Sequence, residues 1–189
     1  PPRARPGPPQ CPRAPRGGLL GPGRPPAVET PTWGMRGGPK KELSYHGLAE
    51  QFSNREVMKI YIALVAGRMK QKSGSFAESI ARHPKIRVKM AVQPSGRKAL
   101  TEWKVIRYFS QGLSMVECDL KTGRTHQIRV HFSHAGYPLL GDQAYGYNPN
   151  KHKLEPAGRV MLHARHLAFR HPRNMGKGAT LRTGFEQAN

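Results

Sequence analysis

LKTGRTHQIRVHFSHAGYPLLGDQAYG, residues Leu120 to Gly146, is the stretch on which the reading of this chain turns. It follows an alternating run with Val116, Cys118 and Leu120 on one face and Glu117 and Asp119 on the other, the period of a strand. Thr122-Gly123 breaks that run, and Thr125 is placed to cap a short helix. Ile128, Phe132 and Ala135 recur at i, i+4 and i+7 and form its apolar stripe, while His126, Arg129 and Ser133 lie to another side. Gly136 is the expected left-handed residue after the helix, with Pro138 just beyond. Arg124, Thr125, His126 and Arg129 thus gather at a helix N-terminus, where free N–H groups and positive charge suit a phosphate or carboxylate. Composition and spacing alone leave a solvated basic helix face as an equal reading.

The rest of the chain sets the class of partner. A net charge of +21 over 189 residues, with a pI near 10.9, favours a polyanion. RNA or DNA fits better than a membrane, because no stretch approaches the ~18 consecutive apolar residues of a spanning helix. The two cysteines, Cys11 and Cys118, have neither metal-site nor redox spacing, which points to a reducing, cytoplasmic setting. No secretory signal is visible at the start of the chain.

Residues 1–40 stand apart. They hold 12 of the 18 prolines and 8 of the 21 glycines, with seven Arg or Lys and one Glu. No apolar period survives there, so the segment is expected to be disordered, a basic tail able to add non-specific RNA affinity. A second reading is that this Pro-Arg-Gly run is a GC-rich gene translated out of frame. From Lys41 the text is patterned: Ser44 can cap a helix that carries Leu48 and Phe52 inward and ends near Arg55-Glu56. Val57 to Val65 reads as a strongly apolar strand containing Tyr61, whose bland role is a strand aromatic. Ser73-Gly74-Ser75 reads as a loop. Arg87–Gln93 and Lys98–Phe109 read as two strands joined through the Pro94-Ser95-Gly96 turn into a hairpin, with Ala99, Thr101, Trp103 and Val105 on one side. Tyr145 to Pro156 is a polar loop, Val160 to His171 a last strand, and 174–189 a fraying tail.

Several of these segments carry a resemblance. TGRTHQIRVHFSHAGYPLLGDQAYG is similar to the signature of RluA-type pseudouridine synthases, which isomerise uridine in ribosomal and transfer RNA. The Tyr-x-Ala-Leu-Val within VMKIYIALV, the segment IARHPKIRVKMAVQPSGRKALTEWKVI, and the Leu162-His163-Ala164, Leu167 and His171-Pro172 pattern match the same family. The resemblance spans roughly Lys41 to Pro172 and implies an α+β fold with a mixed, mostly antiparallel sheet and flanking helices. It makes 41–173 a partial catalytic domain, expected to be monomeric. Tyr61 falls on the family's base-packing tyrosine, and Arg129 on the cation that pairs with the catalytic carboxylate and keeps it ionised. Arg82, His83, Arg87 and Lys89 would contact phosphates, and Arg124, Thr125, His126 and Gln127 complete the motif. No cofactor and no metal are implied.

The family's reaction breaks the C1′–N1 bond of a uridine taken out of its stack and rejoins the base through C5, with an Asp as the carboxylate near C1′. That Asp belongs to a His-Arg-Leu-Asp motif, and no such motif is present here. The two aspartates are Asp119 and Asp142, neither at the matching place, and Glu29 and Glu42 lie nearby without a matching context. The expectation is a synthase truncated or frame-shifted upstream, lacking its nucleophile. The alternative is a non-catalytic basic RNA-binding remnant of the same fold. A metal-dependent hydrolase, prompted by nine histidines, is disfavoured: His126 and His131 are five apart and fall on different helix faces, and no His-Glu-x-x-His pair occurs.

Overall fold

A computed structural model describes residues 33–34, 49–154, 157–170 and 179–182. Of the segment expected to be disordered, Trp33–Gly34 is described, as a short strand on the strand Leu162–Phe169. Of the tail expected to fray, Ala179–Arg182 is described, as a further strand on Leu162–Phe169. The rest of both, and the Ser44 cap, lie outside the described residues. The strands, in chain order, are β1 (Trp33–Gly34), β2 (Met58–Ala66), β3 (Ser73–Phe76), β4 (Ile80–Arg82), β5 (Met90–Val92), β6 (Thr101–Tyr108), β7 (Leu113–Leu120), β8 (Leu162–Phe169) and β9 (Ala179–Arg182). Two helices, α1 (Gln127–His134) and α2 (Pro149–His152), and a helical stretch at 49–53 accompany them.

The main sheet has the order β1-β8-β2-β7-β6-β3, with β9 also on β8. All of its pairings are antiparallel except β1 with β8. The fold is therefore α+β with a mostly antiparallel sheet. Register decides what each face carries, because paired residues project to the same side. Tyr61 pairs with Cys118 and Ala63 with Val116, while Trp103 lies opposite Cys118 across β6. That face meets Ile128 and Phe132 of α1, and together they form the main core. Phe76 and Trp103 pack edge-on against Phe132 at centroid distances of 5.1 and 6.2 Å. Aromatic pairs in this arrangement add about 0.5–1.5 kcal/mol each beyond their buried area.

The other face carries charge. Glu117 lies between Lys104 (2.7 Å) and Arg165 (3.0 Å), and Lys121 lies between Asp119 (2.5 Å) and Glu102 (3.2 Å). This explains the strict alternation read in β7: Val116, Cys118 and Leu120 are buried and Glu117 and Asp119 are not.

Three expectations are corrected. Ser73–Ser75 is part of strand β3, whose backbone pairs with Lys104 to Glu102 although its side chains give no apolar period. The hairpin between Arg87–Gln93 and Lys98–Phe109 does not form. β5 covers only Met90–Val92 and pairs with β4, while β6 pairs with β3 and β7. Gly96 shows why: its backbone is pressed against Ile80, where any Cβ would lie 2.5 Å from the Ile80 carbonyl carbon, so the Pro94-Ser95-Gly96 turn packs on β4 instead of closing a hairpin. The polar loop after Tyr145 holds α2, capped by the Asn148 side chain, which accepts from the Asn150 and Lys151 N–H groups.

Candidate active site and RNA-binding rim

The turn between β7 and α1 is built by Gln127. Its side-chain carbonyl accepts from the Thr122 hydroxyl (2.8 Å) and the Arg124 N–H (2.9 Å), and its amide donates to Leu100 O (3.0 Å) and Thr101 Oγ1 (2.9 Å). The Leu100 N–H in turn donates to Thr122 Oγ1. One buried amide thus ties the turn to the start of β6. The helix cap differs from expectation: Thr125 is exposed, and the cap is His126, in the left-handed region at φ 56° with no side-chain cap bond. The Gln127 side chain holds the turn that precedes the helix and bonds no N–H of the helix itself. Gly136 is left-handed at φ 84°, as expected.

The basic patch divides into an inner and an outer part. Arg129 turns inward: its Nε and Nη2 donate to the two carboxylate oxygens of Asp142 at 2.7 and 2.8 Å, and its guanidinium lies 4.6 Å from the centre of the Tyr145 ring. Both side chains of the ion pair are almost fully buried. Tyr145 is held in turn, its hydroxyl accepting from Met90 N–H (2.9 Å) and bonding His126 Nδ1 (2.5 Å), its carbonyl accepting from Ser133 Oγ (2.6 Å). Burial, with the Arg129 charge nearby, lowers the His126 pKa below its ordinary value despite Asp142.

A second buried polar chain fixes the next turn of α1. His131 Nδ1 meets Thr101 Oγ1 at 2.9 Å and its Nε2 meets the Glu78 carbonyl at 3.0 Å. A carbonyl only accepts, so Nε2 carries the proton and Nδ1 accepts from the threonine hydroxyl. Burial pushes the His131 pKa down, with the Glu78 carbonyl opposing. Both ring nitrogens are engaged in the protein, which removes His131 from the set of histidines that prompted the hydrolase reading.

The outer part forms a rim. Gly123 and Thr125 are exposed and Arg124 half-exposed, its Nε donating to Lys98 O at 3.2 Å. Lys59 of β2 stands beside this turn, its Nζ 3.8 Å from where a Cβ on Gly123 would be. Burial lowers the Lys59 pKa, opposed by Asp119 and reinforced by Arg55 and Arg124. The β4–β5 hairpin adjoins through the Met90–Tyr145 hydrogen bond. Of its residues, Arg87 is exposed and Lys89 half-exposed. Arg82 reaches back to the Arg87 carbonyl (3.2 Å), and His83 Nδ1 accepts from the Lys85 and Ile86 N–H groups, so both also shape the loop. Tyr61 is half-buried on the α1 side of the sheet, packed at the margin of the main core.

Sequence reasoning did not assign Lys59, Asp142 or Tyr145 to the site. Lys59 had a signal, a cation two residues before Tyr61 and therefore on its face. Asp142 and Tyr145 stand within the same signature stretch as Arg129, but nothing in spacing pairs residues 13 apart across a loop.

With this geometry in place, similarity to known proteins becomes specific. Residues 40–134 match the family model for RNA pseudouridylate synthase. This chain belongs to the RNA pseudouridine synthase family. It is 38% identical over 161 residues to an RNA pseudouridine synthase of Aquifex aeolicus, covering 82% of this chain and 51% of the relative. It is 39% identical over 136 residues to ribosomal large subunit pseudouridine synthase D of Haemophilus ducreyi, covering 67% of this chain and 41% of that one. Among solved structures, human RNA pseudouridylate synthase domain containing 1 aligns with a TM-score of 0.67 at 27% identity, over 76% of this chain and 61% of its own. The chain spans about half the length of the curated relatives it matches. Among the described residues, no helix is long and apolar enough to cross a membrane.

Proposed function

We propose that this chain forms the RNA-gripping and pocket-lining part of a uridine-isomerising synthase without supplying the attacking carboxylate. The observation that carries the second half is the disposition of its two aspartates. Asp142 is buried in a bidentate pair with Arg129. Asp119 pairs across the strands with Ile60 and Glu102 on the charged face, opposite the face that holds Tyr61 and α1. Neither can meet a uridine lying against Tyr61. Arg129 is oriented by Asp142 and Tyr145 and would bridge to the family's Asp when that residue is present. Tyr61 serves as the base platform. Lys89, Arg87, Arg124 and Lys59 present cations to the flanking phosphates, with Arg82 and His83 holding the hairpin that carries two of them.

The substrate is ribosomal or transfer RNA, and no step calls for a cofactor. The test is tritium release from RNA carrying [5-³H]uridine, run beside a binding titration. The expected result is salt-sensitive RNA binding with no tritium released above background. Release at a rate proportional to protein would show that another acid acts in place of the missing Asp. Under the alternative reading, a remnant that only binds RNA, isomerisation stays absent even in a longer product of the gene that carries the His-Arg-Leu-Asp motif. Under the synthase reading it appears there.

A further inference from the structure

The sheet has a second basic end. The turn that leads into α1 follows the end of β7, beside the starts of β2 and β6. At the opposite end, β2 and β6 finish and β7 begins, about 25 Å away along eight-residue strands. Two segments meet there, 67–72 and 106–112. Gly67 N–H donates to Gly112 O (2.9 Å), Val105 N–H to Lys72 O (2.7 Å), and the Tyr108 hydroxyl to Met69 O (3.3 Å). Met69 N–H is held by Ser114 Oγ at 3.0 Å.

These segments carry Arg68, Lys70, Lys72 and Arg107 and no Asp or Glu. All four are exposed. The contrast with the charged sheet face is informative: there Lys104, Lys121 and Arg165 each sit against a carboxylate. Among the described residues none of the four at this end has an ion-pair partner. Two of them are nevertheless fixed. The Arg68 guanidinium lies 4.3 Å from the centre of the Tyr108 ring, and that of Arg107 lies 5.2 Å from the centre of the Phe109 ring. Stacking on a ring holds the planar fork while its N–H edges stay outward, so less entropy is lost when an anion is bound. Because arginine covers both rings, they are not platforms for bases. The chemistry offered is recognition of backbone phosphates.

We propose that this end is a second RNA contact, which takes the phosphate backbone of an RNA duplex remote from the target uridine. The inference rests on the RNA-binding reading above and adds a separate surface to it. A substrate that engages both ends must extend well past the flipped nucleotide, so a structured RNA is favoured over a short single strand.

The experiment is a fluorescence-anisotropy titration of the full chain with a labelled hairpin of about 20 base pairs, over about 50 to 200 mM salt. Removing two phosphate contacts lowers the slope of log affinity against log salt by about two, so the affinity lost across that range shrinks about tenfold. That is the result expected for Arg68→Glu with Arg107→Glu. Lys70→Ala with Lys72→Ala, which touches neither ring, is expected to lower the slope as well, and it guards against a folding defect in the first variant. If wild type binds and both variants keep its slope, this second contact is overturned while the primary site stands. If wild type binds no RNA, both readings fail. Binding of polyglutamate that the variants lose, with the RNA slope unchanged, would assign the end to an acidic protein instead and overturn the proposal.

Discussion

Arg129 and Asp142 show how much rests on single residues here. The pair is desolvated, and removing one member leaves the other as a buried charge, so Asp142→Ala is expected to cost about 3–5 kcal/mol in urea unfolding. Arg129→Lys should not restore full stability, because an ammonium provides neither the fork that meets both carboxylate oxygens nor the planar stack on Tyr145. The histidines set a pH dependence. His126, His131 and His163 all have folded-state pKa values below the ordinary 6.5, in each case chiefly through burial. The unfolded chain therefore binds these protons first as pH falls. Their contribution is intact above about 6.5 and is lost as pH drops through that value toward the depressed folded values. Melting midpoints across pH 8 to 5 should be flat at the upper end and fall below about 6.5. His131→Gln should shallow that fall, whereas a curve as steep as wild type would remove His131 from the account.

At the scale of elements, the β7–turn–α1 unit was the most legible part of the chain. Alternation in Val116, Cys118 and Leu120 and the stripe of Ile128 and Phe132 both point to the one core they share. The β3 strand was illegible because Ser73-Gly74-Ser75 has no apolar period, and its conformation comes from the ladder offered by β6. The rejected hairpin fails for a similar reason, since turn chemistry at Pro94-Ser95-Gly96 is satisfied by packing on Ile80. Loop geometry has its own test at Gly141. Its φ is +81°, and a Cβ there would lie 2.0 Å from the Arg159 carbonyl oxygen. Strain and overpacking together predict a loss of about 2–4 kcal/mol for Gly141→Ala by denaturant titration, with the loop carrying Asp142 displaced. A loss below about 1 kcal/mol would mean that the 157–159 segment yields without resistance.

For the molecule as a whole, the sheet separates roles by face and by end. One face carries the apolar core and α1, the other a ladder of paired charges, and the two ends carry cations. A net charge of +21 spread in this way predicts RNA binding that weakens steeply with salt. Arg87→Ala with Lys89→Ala should lower the salt slope by about two while leaving the melting midpoint close to wild type, because both side chains stand on the hairpin away from the core. An unchanged slope would take the hairpin out of the RNA interface.

The family, the α+β class and the motif around Arg129 were determined by sequence alone, because the periods of β7 and α1 and the TGRTHQIR text are local properties of the chain. The absence of the His-Arg-Leu-Asp motif was equally plain there. What tertiary structure decided is the state of each charge. Arg129 and Asp142 look like two surface ions in the text, and only the fold of the 136–145 loop over α1 brings them together, out of water, against Tyr145. Register likewise placed Asp119 on the far face from Tyr61. Pairing and burial arise between segments remote in sequence, and no local pattern encodes them.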